Sequence, residues 1–251
     1  MQHGFENVGL TYTDDVHAIE KIGFAAKQIF IWGEMDSLHP ACSRHTIERC
    51  TPVGCPKPTH QASPRELDTL LPVGQKIIGV FENLHWHRYT DCYREFFVDT
   101  VRHLAEKFDD YLFLVKPHHA GMWLTSRFKG DRPGSPNLLI ADPARMPWER
   151  YTASQILGRL DAVITTPSTV ALDAARMSLP VALISYDLGL ENYRPLPQIT
   201  SVADCCEFVR RCGSVTERGC LISLSEQFVR RVLISADGAA RIVAIIKASV
   251  A

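Results

Sequence analysis

Short apolar runs alternate with longer amphipathic stretches along the chain from Lys76 onward. Five runs have the length and composition of strands buried on both faces. They are residues 76–81, 111–115, 138–142, 162–165 and 180–185. Between the first two, apolar residues recur every three or four positions from Tyr89 to Phe108, which predicts an amphipathic helix. The alternation predicts an α/β fold with one doubly wound parallel sheet of at least five strands, covered by helices on both faces.

The remaining segments follow weaker patterns. Helices are predicted over 154–160 and from the loop after the fourth strand to Met177. Two more are predicted between Ser223 and Val250, with a break near residues 237–238. Residues 28–32 have the composition of a further strand.

The first part of the chain differs in rhythm from the rest. Residues 51–58, TPVGCPKP, are rich in proline and glycine and are followed by a predicted boundary between 58 and 75. We therefore predict an N-terminal segment, 1–65, and a larger domain, 66–251. The smaller segment is too short to hold a core of its own, so it is expected either to pack on the larger domain or to be the tail of a domain whose beginning is missing.

Composition excludes several classes of protein. The 251 residues carry a formal net charge of −1, with 46% hydrophobic and 22% charged residues, as in an ordinary globular protein. This charge balance gives no support to nucleic acid binding. No apolar stretch approaches the roughly 20 residues of a membrane span, and the first residues lack the pattern of a signal peptide. A cytoplasmic protein is expected.

Eight cysteines raise the question of disulfides and metals. We expect reduced thiols, because Cys205 and Cys206 are neighbours and the compartment is the cytosol. Two sets are candidates for metal ligands, namely Cys42, His45, Cys50 and Cys55, and His85, His87 and Cys92. Neither has the paired short spacing of structural zinc sites, so we predict that neither holds an ion.

Polar loops follow two of the predicted strands. In a parallel sheet the carboxyl ends of all strands lie at one edge, where ligands bind. Thr166, Ser168 and Thr169 lead into a helix whose first N–H groups can hold an anion, although Ser168 can alternatively serve only as a helix cap. Lys116 and His118 follow another strand and supply a fixed positive charge and a hydrogen-bond donor. Together these loops predict a phosphate site.

Other phosphate-binding and catalytic motifs are missing from the sequence. It contains no G-x-G-x-x-G after the first strand, no G-x-x-x-x-G-K-[ST] and no G-x-S-x-G. Ordinary dinucleotide binding, P-loop chemistry and the usual hydrolase elbow are therefore excluded. Asp173 lies five residues after Ser168 and can bind a ribose or polyol hydroxyl, or can simply be a solvated helix residue.

The string DAVITTPSTVALDAARMSLPVALIS resembles the nucleotide-binding segment of GT-B glycosyltransferases. The resemblance is strongest to bacterial surface-polysaccharide enzymes, including CDP-glycerol glycerophosphotransferases and capsule Kdo transferases. FLVKPHH is similar to their K-P-H-P segment, with His119 in place of the second proline. QIFIWGEMDS and VGCPKP are similar to stretches between the two Rossmann-like domains, and Gln2-His3-Gly4 to an H-G element that ends the N-terminal domain.

The resemblance implies a function and a set of roles. The chain is expected to be the donor-binding C-terminal domain of a GT-B transferase, with a short remnant of the acceptor-binding domain before it. Lys116, His118, Thr166, Ser168 and Thr169 are expected to hold the donor's phosphate. Glu82 or Asp173 is expected to contact its nucleoside or sugar, and His3 is matched to the catalytic base, unless it is only an unordered terminal residue.

The expected partners are a donor of the CMP, CDP or UDP type and a glycan acceptor, at the inner face of the membrane. No cofactor or metal is implied. Two alternatives remain open from the sequence, namely an isomerase like the UDP-sugar 2-epimerases, and a noncatalytic nucleotide-binding or assembly module.

Overall fold

The computed structural model describes residues 1–14, 16–59 and 63–250. These residues form two compact units. The first unit comprises Met1–Thr59 together with the chain from Val229 onward, and the second, which we call the sheet unit, ends at Phe228. The division into domains 1–65 and 66–251 stays a prediction, whereas the contacts group the last helix with the first unit.

Eight strands and eight α-helices make up most of the regular structure in the described ranges. The strands are β1 (Ile29–Ile31), β2 (Cys50–Pro52), β3 (Lys76–Glu82), β4 (Tyr111–Pro117), β5 (Leu138–Ile140), β6 (Ala162–Thr165), β7 (Val181–Ile184) and β8 (Gln198–Ile199). The α-helices are α1 (Arg44–Ile47), α2 (Leu67–Leu70), α3 (Asp91–Lys107), α4 (Ala153–Leu157), α5 (Thr169–Arg176), α6 (Val202–Gly213), α7 (Val215–Val232) and α8 (Gly238–Val250). Short 3-10 helices occupy Ile19–Lys21, Met35–Ser37, Trp148–Arg150 and Glu191–Tyr193, and a π-helix occupies Trp123–Arg127.

In the first unit, β1 and β2 form a parallel pair. The predicted strand at 28–32 is present as β1, and a small apolar cluster of Leu10, Ile29, Ile31 and Leu38 surrounds it. Gly54, after β2, has a φ of +92, and a Cβ there would lie 2.4 Å from the Ser235 carbonyl oxygen. Glycine is therefore required where the chain before α8 crosses this turn.

The sheet unit contains one six-stranded parallel sheet with the order β5-β4-β3-β6-β7-β8. Numbered within the unit, this is the 3-2-1-4-5-6 order of a doubly wound fold. The five predicted strands are all present, and the predicted fold class is confirmed. The sixth strand, β8, was not predicted because it has only two residues.

Both faces of this sheet are covered. Alternate residues such as Ile78, Val80 and Phe113 belong to the main core cluster, which also holds Phe97 of α3 and Val209 of α6. The intervening residues are buried too but lie outside that cluster, and α5 contacts β6 and β7. Burial on both faces explains why these strands are continuous apolar runs rather than alternating ones.

The helices differ from prediction mainly at their ends. The predicted helix from Tyr89 to Phe108 is α3, which begins after Thr90, whose hydroxyl accepts a bond from the Tyr93 N–H. The break predicted near residues 237–238 lies between the end of α7 and the start of α8. Helix α6 was not predicted; its start is fixed by a capping box between Ser201 and Asp204. None of the helices in the described part of the chain has the length and apolar character needed to cross a bilayer.

Candidate functional site

The two predicted polar loops follow strands that end at the same carboxyl edge of the sheet. Phe81 of β3 pairs in register with Lys116 of β4 on one side and with Thr165 of β6 on the other. These residues form one row across three strands, so Lys116 and Thr165 lie about 10 Å apart, two strand spacings. The chain connections leave β3 and β6 in opposite directions along the sheet, which is where open α/β sheets bind their ligands.

Asn83 and Thr166 join the loops that follow β3 and β6. The Asn83 N–H donates to the Thr166 hydroxyl oxygen at 3.2 Å, and that hydroxyl donates to Asn83 Oδ1 at 2.6 Å. Asn83 Nδ2 donates to the Pro167 carbonyl at 2.9 Å, and the Tyr89 hydroxyl donates to Asn83 Oδ1. Thr166 is fully buried. It thus connects the loops in this structure, while its contact with phosphate stays a prediction.

Asn83 and Tyr89 were not identified from the sequence as site residues. Asn83 directly follows the first predicted strand, and that position at a carboxyl edge is the signal that could have identified it. Its partners were not readable, because they lie 83 and 84 residues away along the chain.

Ser168 takes the N-cap position of α5 without capping it. Its φ is −165 and its ψ is 166, and its side chain accepts no hydrogen bond from the first turn. The Ser168 hydroxyl lies instead 3.1 Å from Thr165 Oγ1, which donates its own proton to the Thr166 carbonyl at 2.8 Å. Ser168 is therefore the donor in this pair. The alternative that Ser168 serves only as a cap is not supported by this geometry.

Thr169 and Asp173 belong to the start and the second turn of α5, and both are half-buried. Their expected contacts with a phosphate and with a nucleoside or sugar stay predictions. The helix has eight residues, and its N-terminus faces the same edge as the end of β6, because only the loop 166–168 separates them.

Lys116 is a buried cation at the end of β4. Its side chain is 7% exposed, and burial lowers the pKa of the ammonium, an effect opposed by the charge of Asp142. Within the described ranges, no acid forms an ion pair with Lys116. A buried cation that lacks a paired acid favours the binding of an anion.

Three imidazoles stack beside Lys116. The ring centroids of His85 and His118 are 5.0 Å apart, and those of His118 and His119 are 4.5 Å apart. His118 Nδ1 accepts a hydrogen bond from the Ala120 N–H at 3.2 Å, so in the neutral ring the proton is on Nε2.

The charge state of these rings follows from their surroundings. Burial, together with His119, His85 and Lys116, lowers the pKa of His118 to about 4. Burial and the nearby Arg127 also lower the pKa of His85. His118 is therefore neutral at physiological pH and offers an Nε2–H donor, while Lys116 carries the positive charge.

Glu82 is turned into the protein. It is 3% exposed; its Oε2 accepts from the Leu84 N–H at 2.7 Å and its Oε1 from the Leu124 N–H at 3.2 Å. Burial raises the pKa of this carboxyl to about 7, against the two hydrogen bonds, which lower it. The expected contact of Glu82 with a nucleoside or sugar stays a prediction. In this structure both oxygens bind backbone N–H groups.

His3 belongs to the first unit and is exposed. The residue before it is held in place, because Gln2 Oε1 accepts from the Trp32 N–H at 2.9 Å and the Gln2 N–H donates to the Phe30 carbonyl at 2.9 Å. The chain next to His3 is therefore anchored to β1, although its role as a base stays a prediction.

The two sets considered for metal binding do not converge. Within the described ranges, neither brings three ligand atoms within 4.8 Å of one another. All eight cysteines are free thiols, and burial raises the pKa of Cys50 to about 11. That no structural ion is bound stays a prediction.

Comparison with known proteins identifies solved structures of similar fold. No family model matches the chain, and no curated protein matches it. A histidine-to-asparagine variant of the wall teichoic acid polymerase TagF shares 18% identity with a TM-score of 0.61, covering 89% of this chain and 58% of that one. The glycotransferase of kitacinnamycin shares 14% identity with a TM-score of 0.52, covering 88% of this chain and 54% of that one.

A third solved structure comes from Listeria monocytogenes and is provisionally assigned as a UDP-N-acetylglucosamine 2-epimerase. It shares 16% identity with a TM-score of 0.50, covering 76% of this chain and 50% of that one. The chain thus spans less than two thirds of the length of each of these solved structures. With its parallel 3-2-1-4-5-6 sheet and its likeness to TagF, the chain has a Rossmann-like α/β fold similar to that of the matched part of TagF.

Proposed function

We propose that the sheet unit binds the phosphate of a nucleotide-activated sugar or polyol, as the donor-binding half of a transferase in surface-polysaccharide synthesis. The observation that carries this proposal is that Lys116 and Thr165 lie in one row at the edge where β3 and β6 diverge, and that His118 and the start of α5 directly follow these strand ends. A buried cation, a neutral N–H donor and uncapped helix N–H groups together suit a phosphate. A TagF structure soaked with CDPG has the same fold, with a TM-score of 0.59, which is consistent with a cytidine nucleotide.

The proposed reaction follows from these groups. An acceptor hydroxyl attacks the donor, the bond to the leaving phosphate breaks, and the hydroxyl proton passes to a base, for which we propose His3. The leaving phosphate gains negative charge as the bond breaks. Lys116, the His118 Nε2–H and the Ser168 hydroxyl stabilise it, Ser168 after rotating away from Thr165. We further propose a glycan as the acceptor and the cytoplasmic face of the membrane as the location.

Calorimetric titration with CMP, CDP and UDP tests the proposal. We expect binding of at least one of the three, and Ser168→Ala combined with Thr169→Ala should weaken it by about 1 to 3 kcal/mol, the scale of hydrogen bonds to a charged group. Ser201→Ala is the matched control, because Ser201 begins α6 and its hydroxyl accepts from the Asp204 N–H at 3.2 Å. Unchanged affinity in the folded double variant would contradict the proposal.

Product analysis then separates transfer from the two alternatives that the sequence leaves open. Conversion of a UDP-sugar into its 2-epimer, without an acceptor, would indicate an epimerase-like isomerase. Nucleotide binding with neither transfer nor isomerisation, across donors and acceptors, would indicate a noncatalytic binding module.

A further inference from the structure

Three imidazole rings from two loops form one stack at the end of β4. The ring centroid of His118 lies 5.0 Å from that of His85 and 4.5 Å from that of His119, and both pairs are stacked, with interplanar angles of 28° and 27°. One face of an imidazole has room for only one stacked ring, so His85 and His119 lie on opposite faces of His118. His119 is therefore the outer ring of the stack, and it is exposed.

A tight turn holds His118 and His119 in this arrangement. The His118 carbonyl accepts hydrogen bonds from the Gly121 N–H at 3.2 Å and from the Met122 N–H at 2.8 Å. His118 Nδ1 accepts from the Ala120 N–H at 3.2 Å. These bonds fix both the backbone and the ring of His118, so the ring of His119 packs against a rigid support.

The inner end of the stack is covered by the protein itself. The backbone at Gly121 lies so close to His85 that a Cβ there would be 2.0 Å from the ring. The ring centroid of Trp86 lies 5.8 Å from that of His85. His85 is thus packed between the loop after β4 and Trp86, whereas the outer face of His119 is open to solvent.

This open face lies next to the proposed phosphate site. His119 directly follows His118, whose Nε2–H we propose as a phosphate donor, and both follow the buried cation of Lys116. In a nucleotide a single ribose separates the phosphate from the base, so a nucleotide bound at Lys116 and His118 has its base close to these residues. Aromatic side chains are common partners of unpaired bases, because every base has a flat π face.

We propose that the nucleobase of the donor stacks on the outer face of His119, as the next ring of the series His85, His118 and His119. This rests on the proposed function, which supplies the nucleotide. The stack is formed before the nucleotide binds, so little conformational entropy is lost in ordering it. Because stacking does not read the hydrogen-bonding edge of a base, His119 strengthens the binding of cytidine and uridine nucleotides alike.

Calorimetric titration with CDP and with pyrophosphate separates the base from the phosphates. His119→Ala should weaken the binding of CDP about tenfold, the scale of one base–aromatic stack, and should weaken the binding of UDP equally. Pyrophosphate carries the phosphates without a base, so its affinity should be unchanged. His119→Phe keeps a flat ring that cannot carry a charge and should restore the affinity for CDP.

Two further measurements keep the test decisive. His103→Ala makes the same substitution at an exposed position of α3 and should leave the affinity for CDP unchanged. In NMR spectra of the complex, the H5 and H6 protons of cytosine should show nuclear Overhauser contacts to the His119 ring. A ring that only positioned its neighbours would not produce these contacts.

The possible outcomes separate this proposal from the proposed function. Equal losses of CDP and pyrophosphate affinity in His119→Ala would show that the ring only positions His118, and would overturn the proposal. An unchanged affinity for CDP, or no restoration by His119→Phe, would overturn it as well. If none of CMP, CDP and UDP binds to the unmodified chain, the proposed function fails together with the stacking, whereas nucleotide binding that does not depend on His119 refutes the stacking alone.

Discussion

The Thr166 hydroxyl donates a 2.6 Å hydrogen bond to the side-chain oxygen of Asn83, a residue 83 positions earlier in the chain. The bond is returned by the Asn83 N–H, which donates to the same hydroxyl at 3.2 Å. This pair joins the two loops that leave the sheet in opposite directions, and it therefore fixes the separation between the end of β3 and the start of α5. The proposed phosphate groups depend on that separation.

A double-mutant cycle on this pair should show strong coupling. Asn83→Ala, Thr166→Val and the combined variant are expected to give a coupling energy of about 1 kcal/mol or more, because both partners belong to a buried network. The measurement is the free energy of unfolding in urea. The control cycle uses Gln227 and Ser223, an exposed pair in α7 with a 3.3 Å bond, where we expect coupling near zero. Equal coupling in both pairs would contradict the prediction.

Ser168→Ala and Ser201→Ala should have different effects on stability. Ser201→Ala should lower the free energy of unfolding by about 1 kcal/mol, because it removes a working helix cap. Ser168→Ala should lower it by less, since the Ser168 side chain caps nothing. Urea unfolding of the two variants measures this. A larger loss from Ser168→Ala would show that its hydroxyl serves the fold rather than a ligand.

Lys116→Met should improve stability and weaken nucleotide binding. The substitution keeps an apolar chain of similar length and removes a buried charge, which should raise the free energy of unfolding by about 1 to 3 kcal/mol. Loss of the cation should cost about 1.5 to 3 kcal/mol of affinity for CDP. Thermal unfolding and calorimetry measure the two effects. Lys107→Met, at an exposed position in the last turn of α3, is the control and should change neither.

Glu82 should make the folded protein less stable as pH rises. The pKa of Glu82 is raised from 4.5 to about 7, so the folded state binds the proton more tightly than the unfolded state does. The resulting stability is fully present below pH 4.5 and is lost as the pH rises through 7. Between pH 5 and pH 8 this loss should amount to roughly 2 to 3 kcal/mol.

The comparison with Glu82→Gln isolates this contribution. The difference in unfolding free energy between variant and unmodified chain should shift in favour of the variant by that amount as the pH rises from 5 to 8. The pH dependence of stability from His118 should have the opposite sign. The pKa of His118 is lowered to about 4, so its contribution to the free energy of unfolding is lost as the pH falls. Glu82→Gln curves that run parallel to those of the unmodified chain would rule out the raised pKa.

The strands of the sheet unit were predictable because their signal is local. Strands β3 to β7 are apolar runs, buried on both faces, and a parallel sheet places their carboxyl ends at one edge whatever the details of packing. For the same reason the sequence alone predicted that Lys116, His118 and Ser168 lie at that edge. Strand β8 and helix α6 were not predicted from the sequence. The strand has only two residues, and the start of the helix is fixed by a capping box rather than by a long apolar pattern.

The sequence by itself thus determined the fold class and the edge of the sheet that carries the polar groups. Only the tertiary structure decided what those groups do, since it depends on partners distant along the chain. Glu82 accepts a hydrogen bond from the N–H of Leu124, 42 residues away. Asn83 and Thr166 are hydrogen-bonded only because β3 and β6 are neighbouring strands. The charge of His118 was likewise set by burial and by stacked rings from two loops. Local patterns place residues on elements, but strand order and burial determine hydrogen-bond partners and pKa values.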